Sequence, residues 1–162
     1  MAEEVEQTEE GQSEILDRPH VLMTHERINR ALSGEIDKLD DGFARVILET
    51  IDEMSADELG LVHGGFIFSA ADFAAMAAVN DENVVLASAQ TQFLAPVKVG
   101  DVVVFEARVR QKEGRKRNVH VKAHMLDIKV FEAEFSTVVL DRHILKLKLL
   151  ENAEEAALED GE

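Results

Sequence analysis

Cysteine is absent from all 162 residues, which excludes disulfides, thiolate catalysis and cysteine-built zinc sites and is compatible with a reducing compartment. Tryptophan and tyrosine are missing as well, leaving eight phenylalanines as the whole aromatic complement. Surfaces that bind nucleic acid commonly stack bases on such rings, so no nucleic-acid partner is expected. No apolar run reaches the ~20 residues that a bilayer crossing needs. The longest, Gly64 to Val79, carries Asp72 in its middle and reads as a buried helix, not a membrane span. Met1 to Glu10 shows neither a basic n-region nor an apolar h-region, so no secretory signal is expected and the cytoplasm is the default location.

Positive charge is scarce overall, with 17 bases against 33 acids and a net charge of −16, yet the imbalance is local. Residues 1–17 hold seven acids and residues 151–162 hold six, neither stretch with a base; removing those 13 leaves 20 acids against 17 bases between Arg18 and Leu150, a net of −3. Glu-rich stretches with few aliphatics cannot bury enough surface to offset their ordering entropy, so both ends are expected to be disordered, solubilising tails. A single domain over 18–150 remains, with 46 % hydrophobic residues in the chain to build one core.

The spacing of Val21, Ile28 and Leu32, stopped by Ser33-Gly34, predicts a first helix over Pro19–Leu32. After the turn signal Asp40-Asp41-Gly42, Phe43–Ile51 reads as a strand. Phe66–Val79 is alanine-rich and apolar on most sides, which predicts a helix wrapped by other structure. The period then changes to two, and Val84–Leu94, Val102–Gln111, Asn118–Leu126 and Ile128–Leu140 read as strands joined by short turns. One strand, one buried helix and a four-strand meander make an α+β domain, an antiparallel sheet covered by a single helix. Residues 141–150 could extend the last strand.

His63-Gly64-Gly65 stands where a loop becomes the buried helix. The first N–H groups of that helix lack intrahelical partners, and two glycines let a ligand approach the backbone. With the helix dipole, this can hold a carbonyl oxygen that turns negative in acyl transfer. Asp72 is the one ionisable residue from Phe66 to Val79, and seven residues from Gly65 it points to the same side. At 1.5 Å per residue the two are ~10 Å apart along the axis, too far to act on one carbonyl carbon. Two chains paired about a two-fold axis with antiparallel helices would close that gap, so a homodimer is expected, with a tetramer left open.

Lys112, Arg115, Lys116 and Arg117 gather four bases at a predicted hairpin tip, either an ordinary solvated turn or a phosphate clamp. His120 and His124 are four apart on a strand, about 13 Å, too far for one ion, and no metal site is expected.

The stretch Gly60-Leu61-Val62-His63-Gly64-Gly65 followed by Ser69-Ala70-Ala71-Asp72 resembles the hotdog-fold acyl-CoA thioesterases of the phenylacetate-degradation and 4-hydroxybenzoyl-CoA type. Phe93-Leu94-Ala95-Pro96-Val97-Lys98-Val99-Gly100-Asp101 is similar to that family's strand-to-strand connection, and the likeness runs from Phe43 to Leu140. The resemblance implies a hotdog fold, a long helix wrapped by an antiparallel sheet over a core of 43–140. Gly64 would supply an oxyanion N–H beside Gly65, His63 would orient the loop, and Asp72 would be nucleophile or general base. The basic hairpin would contact coenzyme A phosphates, the coenzyme being part of the ligand and no separate cofactor being implied. Apart from the resemblance, Phe66, Phe73 and Met76 are candidates to line the substrate pocket, with core packing the commoner role for such residues on a helix, and Ser88 and Gln90 are candidates beside them. Many relatives carry Asn where this chain has Asp57, six residues before His63. An acid there would oppose an oxyanion, which keeps a non-catalytic acyl-CoA sensor beside the hydrolase as an alternative.

Overall fold

The protein, seen in a computed structural model, is described over residues 20–159 and 161. The acidic stretch 1–17 lies outside the described residues. Six strands form one antiparallel sheet: β1 (Glu35–Asp40), β2 (Phe43–Glu49), β3 (Val84–Phe93), β4 (Val102–Glu113), β5 (Lys116–Met125) and β6 (Ile128–Val139), in the order β1-β2-β4-β5-β6-β3. Helix α2 (Gly64–Val79) connects β2 to β3 and crosses one face of this sheet, touching β2, β4 and β5 most.

Register explains why that face is apolar. Val46, Phe105, Ala123, Phe131 and Phe93 stand opposite one another across five strands, and the next inward row is Ala44, Ala107, Val121, Ala133 and Thr91. Nearly all of these are buried, and Ala70, Ala71, Ala74, Ala75, Ala77 and Ala78 of α2 are buried against them. Alanine holds the helix without side-chain entropy and lets it lie close to the pleat. The alternating positions face outward, where Arg45, Glu106, Lys122 and Glu132 run across β2, β4, β5 and β6 with alternating sign. Such cross-strand pairs stabilise a solvated sheet face.

Three expectations differ from the structure. The helix predicted over Pro19–Leu32 is a single turn, α1 (Arg30–Ser33), capped by the Asn29 side chain and ended at Gly34. Val21 is 70 % exposed, so its helical spacing with Ile28 and Leu32 does not mark a buried face. Strand β1 has no counterpart in the sequence reading, because Glu35–Asp40 is mostly charged and a register shift between Ile36 and Lys38 breaks its period of two. Beyond β6 the chain does not extend the strand; a 3-10 turn at Ile144–Lys146 leads into helix α3 (Lys148–Glu159), where a disordered tail is expected from the Glu content.

Candidate functional site

The loop before α2 is built by its own hydrogen bonds. Ser55 bridges to Val62 and Leu61 to Lys98, Ala56 N–H donates to Leu61 O, and Val62 N–H to Val97 O. Asp57 Oδ1 accepts from Leu59 N–H at 3.0 Å and from Leu61 N–H at 3.1 Å. Its carboxylate is therefore engaged by the turn that delivers His63. His63 N–H donates to Met54 O, fixing the entry to the helix.

His63 occupies the N-cap position of α2 but makes no side-chain capping hydrogen bond. Its ring lies over Gly65, where an added Cβ would come within 2.9 Å of Nε2, and meets Phe66 edge-on at 6.1 Å. The amides of the first turn are thus claimed by no capping side chain, and the helix dipole favours negative charge there. On the other side of the helix start, a Cβ on Gly64 would approach the Phe93 ring to 3.2 Å. Phe93 stacks edge-on with Phe131 at 5.2 Å, and behind it opens a cleft of about 360 Å³ whose walls include Val62, Ile67, Phe93, Pro96, Val97 and Val130.

Asp72 sits on a stripe of α2 that is not fully covered, with Gly65, Phe68, Ser69 and Val79. Its Oδ1 is buried with no hydrogen-bond partner, and burial pushes its pKa up to about 6. An unpartnered buried carboxylate oxygen costs free energy.

The remaining expected site residues fall in different places. Phe73 and Met76 are core residues with exposures of 0 % and 1 %, whereas Phe66 reaches the surface. Ser88 and Gln90 stand beside Ser136 and Glu134, and Gln90 lies on the outer sheet face away from α2; the inward residue of that segment is Thr91. Lys112, Arg115, Lys116 and Arg117 do form the β4–β5 hairpin, with Arg115 paired to Asp141. That hairpin lies at the far end of the protomer from His63. β4 begins at Val102, beside Glu49 and the Lys98 to Asp101 turn, and ends 11 residues later at Glu113, opposite Lys116 of β5, which in turn pairs with Val138 close to where α2 finishes. Phe93, which lies against Gly64, shares its row with Phe105 of β4, eight residues before Glu113, so within one chain the basic hairpin and the helix start are roughly 26 Å apart along the strand. Among the described residues no group of three His, Asp or Glu could hold a metal ion, and no helix is long and apolar enough to cross a membrane.

The sequence profile described as the thioesterase superfamily matches residues 59–131, from the loop before α2 into β6. An acyl-coenzyme A thioesterase of Escherichia coli, PaaI, is 32 % identical over 76 % of this chain and 84 % of its own. The chain belongs to the thioesterase superfamily. Its fold is that superfamily's hotdog: a crystal structure of an uncharacterized Pyrococcus horikoshii protein is 45 % identical, covers 80 % of this chain and all of its own, and superposes with a TM-score of 0.78. Two further relatives are longer. A methylthioribose-1-phosphate isomerase of Aquifex aeolicus is 54 % identical over 74 % of this chain but only 26 % of its own length, and the transcription factor FapR of Thermoanaerobacter is 32 % identical over 70 % of this chain and 57 % of its own. This chain thus spans a quarter to rather more than half of those two proteins.

Proposed function

We propose that this chain hydrolyses acyl-coenzyme A thioesters in a site shared by two copies. The observation that carries the reading is the buried, unpartnered oxygen of Asp72 on the same helix face as the uncapped amides at Gly64 and Gly65. A second copy supplies what each chain lacks. β3 pairs with β6 on one side only, and its other edge presents ten residues of open backbone, Val84 to Phe93. An antiparallel copy added there continues the sheet, sets the two α2 helices side by side and brings each Asp72 toward the other's helix start.

In that site the thioester carbonyl oxygen rests on the amides of the α2 N-terminus, which stabilise it as it becomes an oxyanion. Asp72 of the other copy, ionised above about pH 6, takes a proton from water as the water oxygen bonds to the carbonyl carbon. The tetrahedral centre collapses, the C–S bond breaks and the departing thiolate takes up the proton. The apolar cleft beside Gly64 suits the acyl group.

Similarity to a transcription factor supports a second reading, in which the same site binds acyl-CoA without cleaving it. The net charge of −16 favours a ligand-reading role over direct contact with nucleic acid. Thiol release from a panel of acyl-CoAs separates the two: turnover that disappears in Asp72→Ala supports the hydrolase, and binding with no turnover in wild type supports the sensor. Full turnover in Asp72→Ala would remove Asp72 from the chemistry.

A further inference from the structure

The sheet face turned away from α2 carries a pocket of its own. On β4 and β5 the residues alternating with buried Phe105, Ala107, Val121 and Ala123 are Glu106, Arg108, His120 and Lys122, so all four point away from the helix. With Phe43 and Arg110 they wall a space of about 90 Å³. Its two buried members are Phe43, 8 % exposed, and His120, 9 % exposed. His120 is anchored from one side. Its Nε2 lies 2.7 Å from Glu132 Oε1 and 4.0 Å from Glu134 Oε1, while Nδ1 has no hydrogen-bond partner among the described residues. The ring is thus fixed by one nitrogen and keeps the other for a ligand.

Charge does not cancel at this pocket. Glu106 is the one acid in its wall, and Arg45 holds it at 3.6 Å. Of the acids nearby, Glu134 is held by Arg110 at 3.6 Å, Glu132 by Lys129 and His120, Asp37 by Arg45 at 3.4 Å, and Asp40 by His20 at 3.2 Å. Arg108 and Lys122 are left with no carboxylate partner among the described residues, although both line the pocket. Arg108 is also positioned, because its guanidinium stands 4.8 Å from the centroid of the Phe43 ring. A guanidinium placed over a ring keeps its in-plane N–H groups for another acceptor. Lys38 and Arg45, each 5.9 Å from the same ring, add to the positive potential.

Two unmatched cations and a spare ring nitrogen around so small a space suit a compact dianion. Arg108 and Arg110 on β4, Lys122 and His120 on β5 offer donors from several directions, which a tetrahedral group of oxygens can meet and a planar carboxylate cannot. We infer that this pocket binds a tetrahedral oxyanion of the phosphate class, either the free ion or the end of a phosphate monoester, with Arg108 and Lys122 as its principal ligands. The inference is independent of the acyl-CoA reading, since the cleft beside Gly64 and Asp72 both lie on the helix side of the sheet.

Calorimetric titration of the full chain with inorganic phosphate at pH 8 tests it. Binding should saturate at one ion per chain, with Kd about 1 mM or tighter. Arg108→Gln combined with Lys122→Gln removes both cations from exposed positions, leaves the core untouched and should weaken phosphate at least about tenfold at an unchanged melting temperature. His120→Gln keeps a group that can meet Glu132, and should weaken phosphate several-fold, as expected for a lost hydrogen bond. Sulfate should compete, whereas acetate should bind far more weakly. Glycerol phosphate, titrated beside inorganic phosphate, tells the end of a larger ligand from the free ion: whichever binds more tightly names the source, and loss of both in the double variant supports the site. No saturable binding up to about 10 mM, acetate bound as tightly as phosphate, or phosphate bound equally well by the double variant would each overturn the assignment.

Discussion

Replacing Asp72 by asparagine keeps the shape of the side chain and removes its charge, and the consequence for stability can be worked from the structure. In the unfolded chain the carboxyl titrates near 3.8, and in the folded chain near 6, because burial disfavours the ionised form. The folded state therefore holds a proton that the unfolded state has lost, and stability falls as pH rises from about 4 through 6, then stays at the lower level. Roughly two pKa units correspond to about 3 kcal/mol at most, and partial solvation of the group lowers the expected value to about 1.5–3 kcal/mol. Urea denaturation of both proteins at pH 5 and pH 8 reads this directly. Asp72→Asn should gain on wild type by about 1 kcal/mol or more between the two pH values. A stability difference that does not move with pH, or an Asp72→Asn protein less stable than wild type at pH 8, would refute the burial argument.

Gly65→Ala puts a methyl group within 2.9 Å of His63 Nε2, so the exposed ring must swing away. Stability should change by less than about 1 kcal/mol, since alanine is the better helix former, while kcat/KM falls at least about tenfold in steady-state assays. Phe93→Ala opens the cleft beside Gly64, and competition between short and bulky acyl-CoAs should shift kcat/KM toward the bulky one, by up to about 1–3 kcal/mol of discrimination.

Much of this architecture is legible in the residues because period and composition agree. The alternation of Val103, Phe105 and Ala107 declares a half-buried strand, and the alanines from Ala70 to Ala78 declare a helix pressed on a sheet. Asp72 stands out because a lone acid in such a helix needs a reason. What escapes the sequence depends on neighbours distant along the chain. β1 is an edge strand whose charges face water, so it carries no periodic signal, and the 20–29 segment is irregular because Asn80, more than fifty residues away, holds it. Gln90 and Thr91 differ by one place, and only the pairing with Glu134 and Ala133 decides which faces α2.

The claim that each site is made of two chains is tested most directly by mixing two disabled variants, Asp72→Asn and Gly65→Val, after unfolding and refolding them together. Each alone should be inactive. Random pairing makes half the dimers mixed, and each of these carries one intact site, so about a quarter of wild-type turnover should return. Mixed dimers that form and yet recover nothing would contradict a site built from the helix start of one copy and the Asp72 of the other.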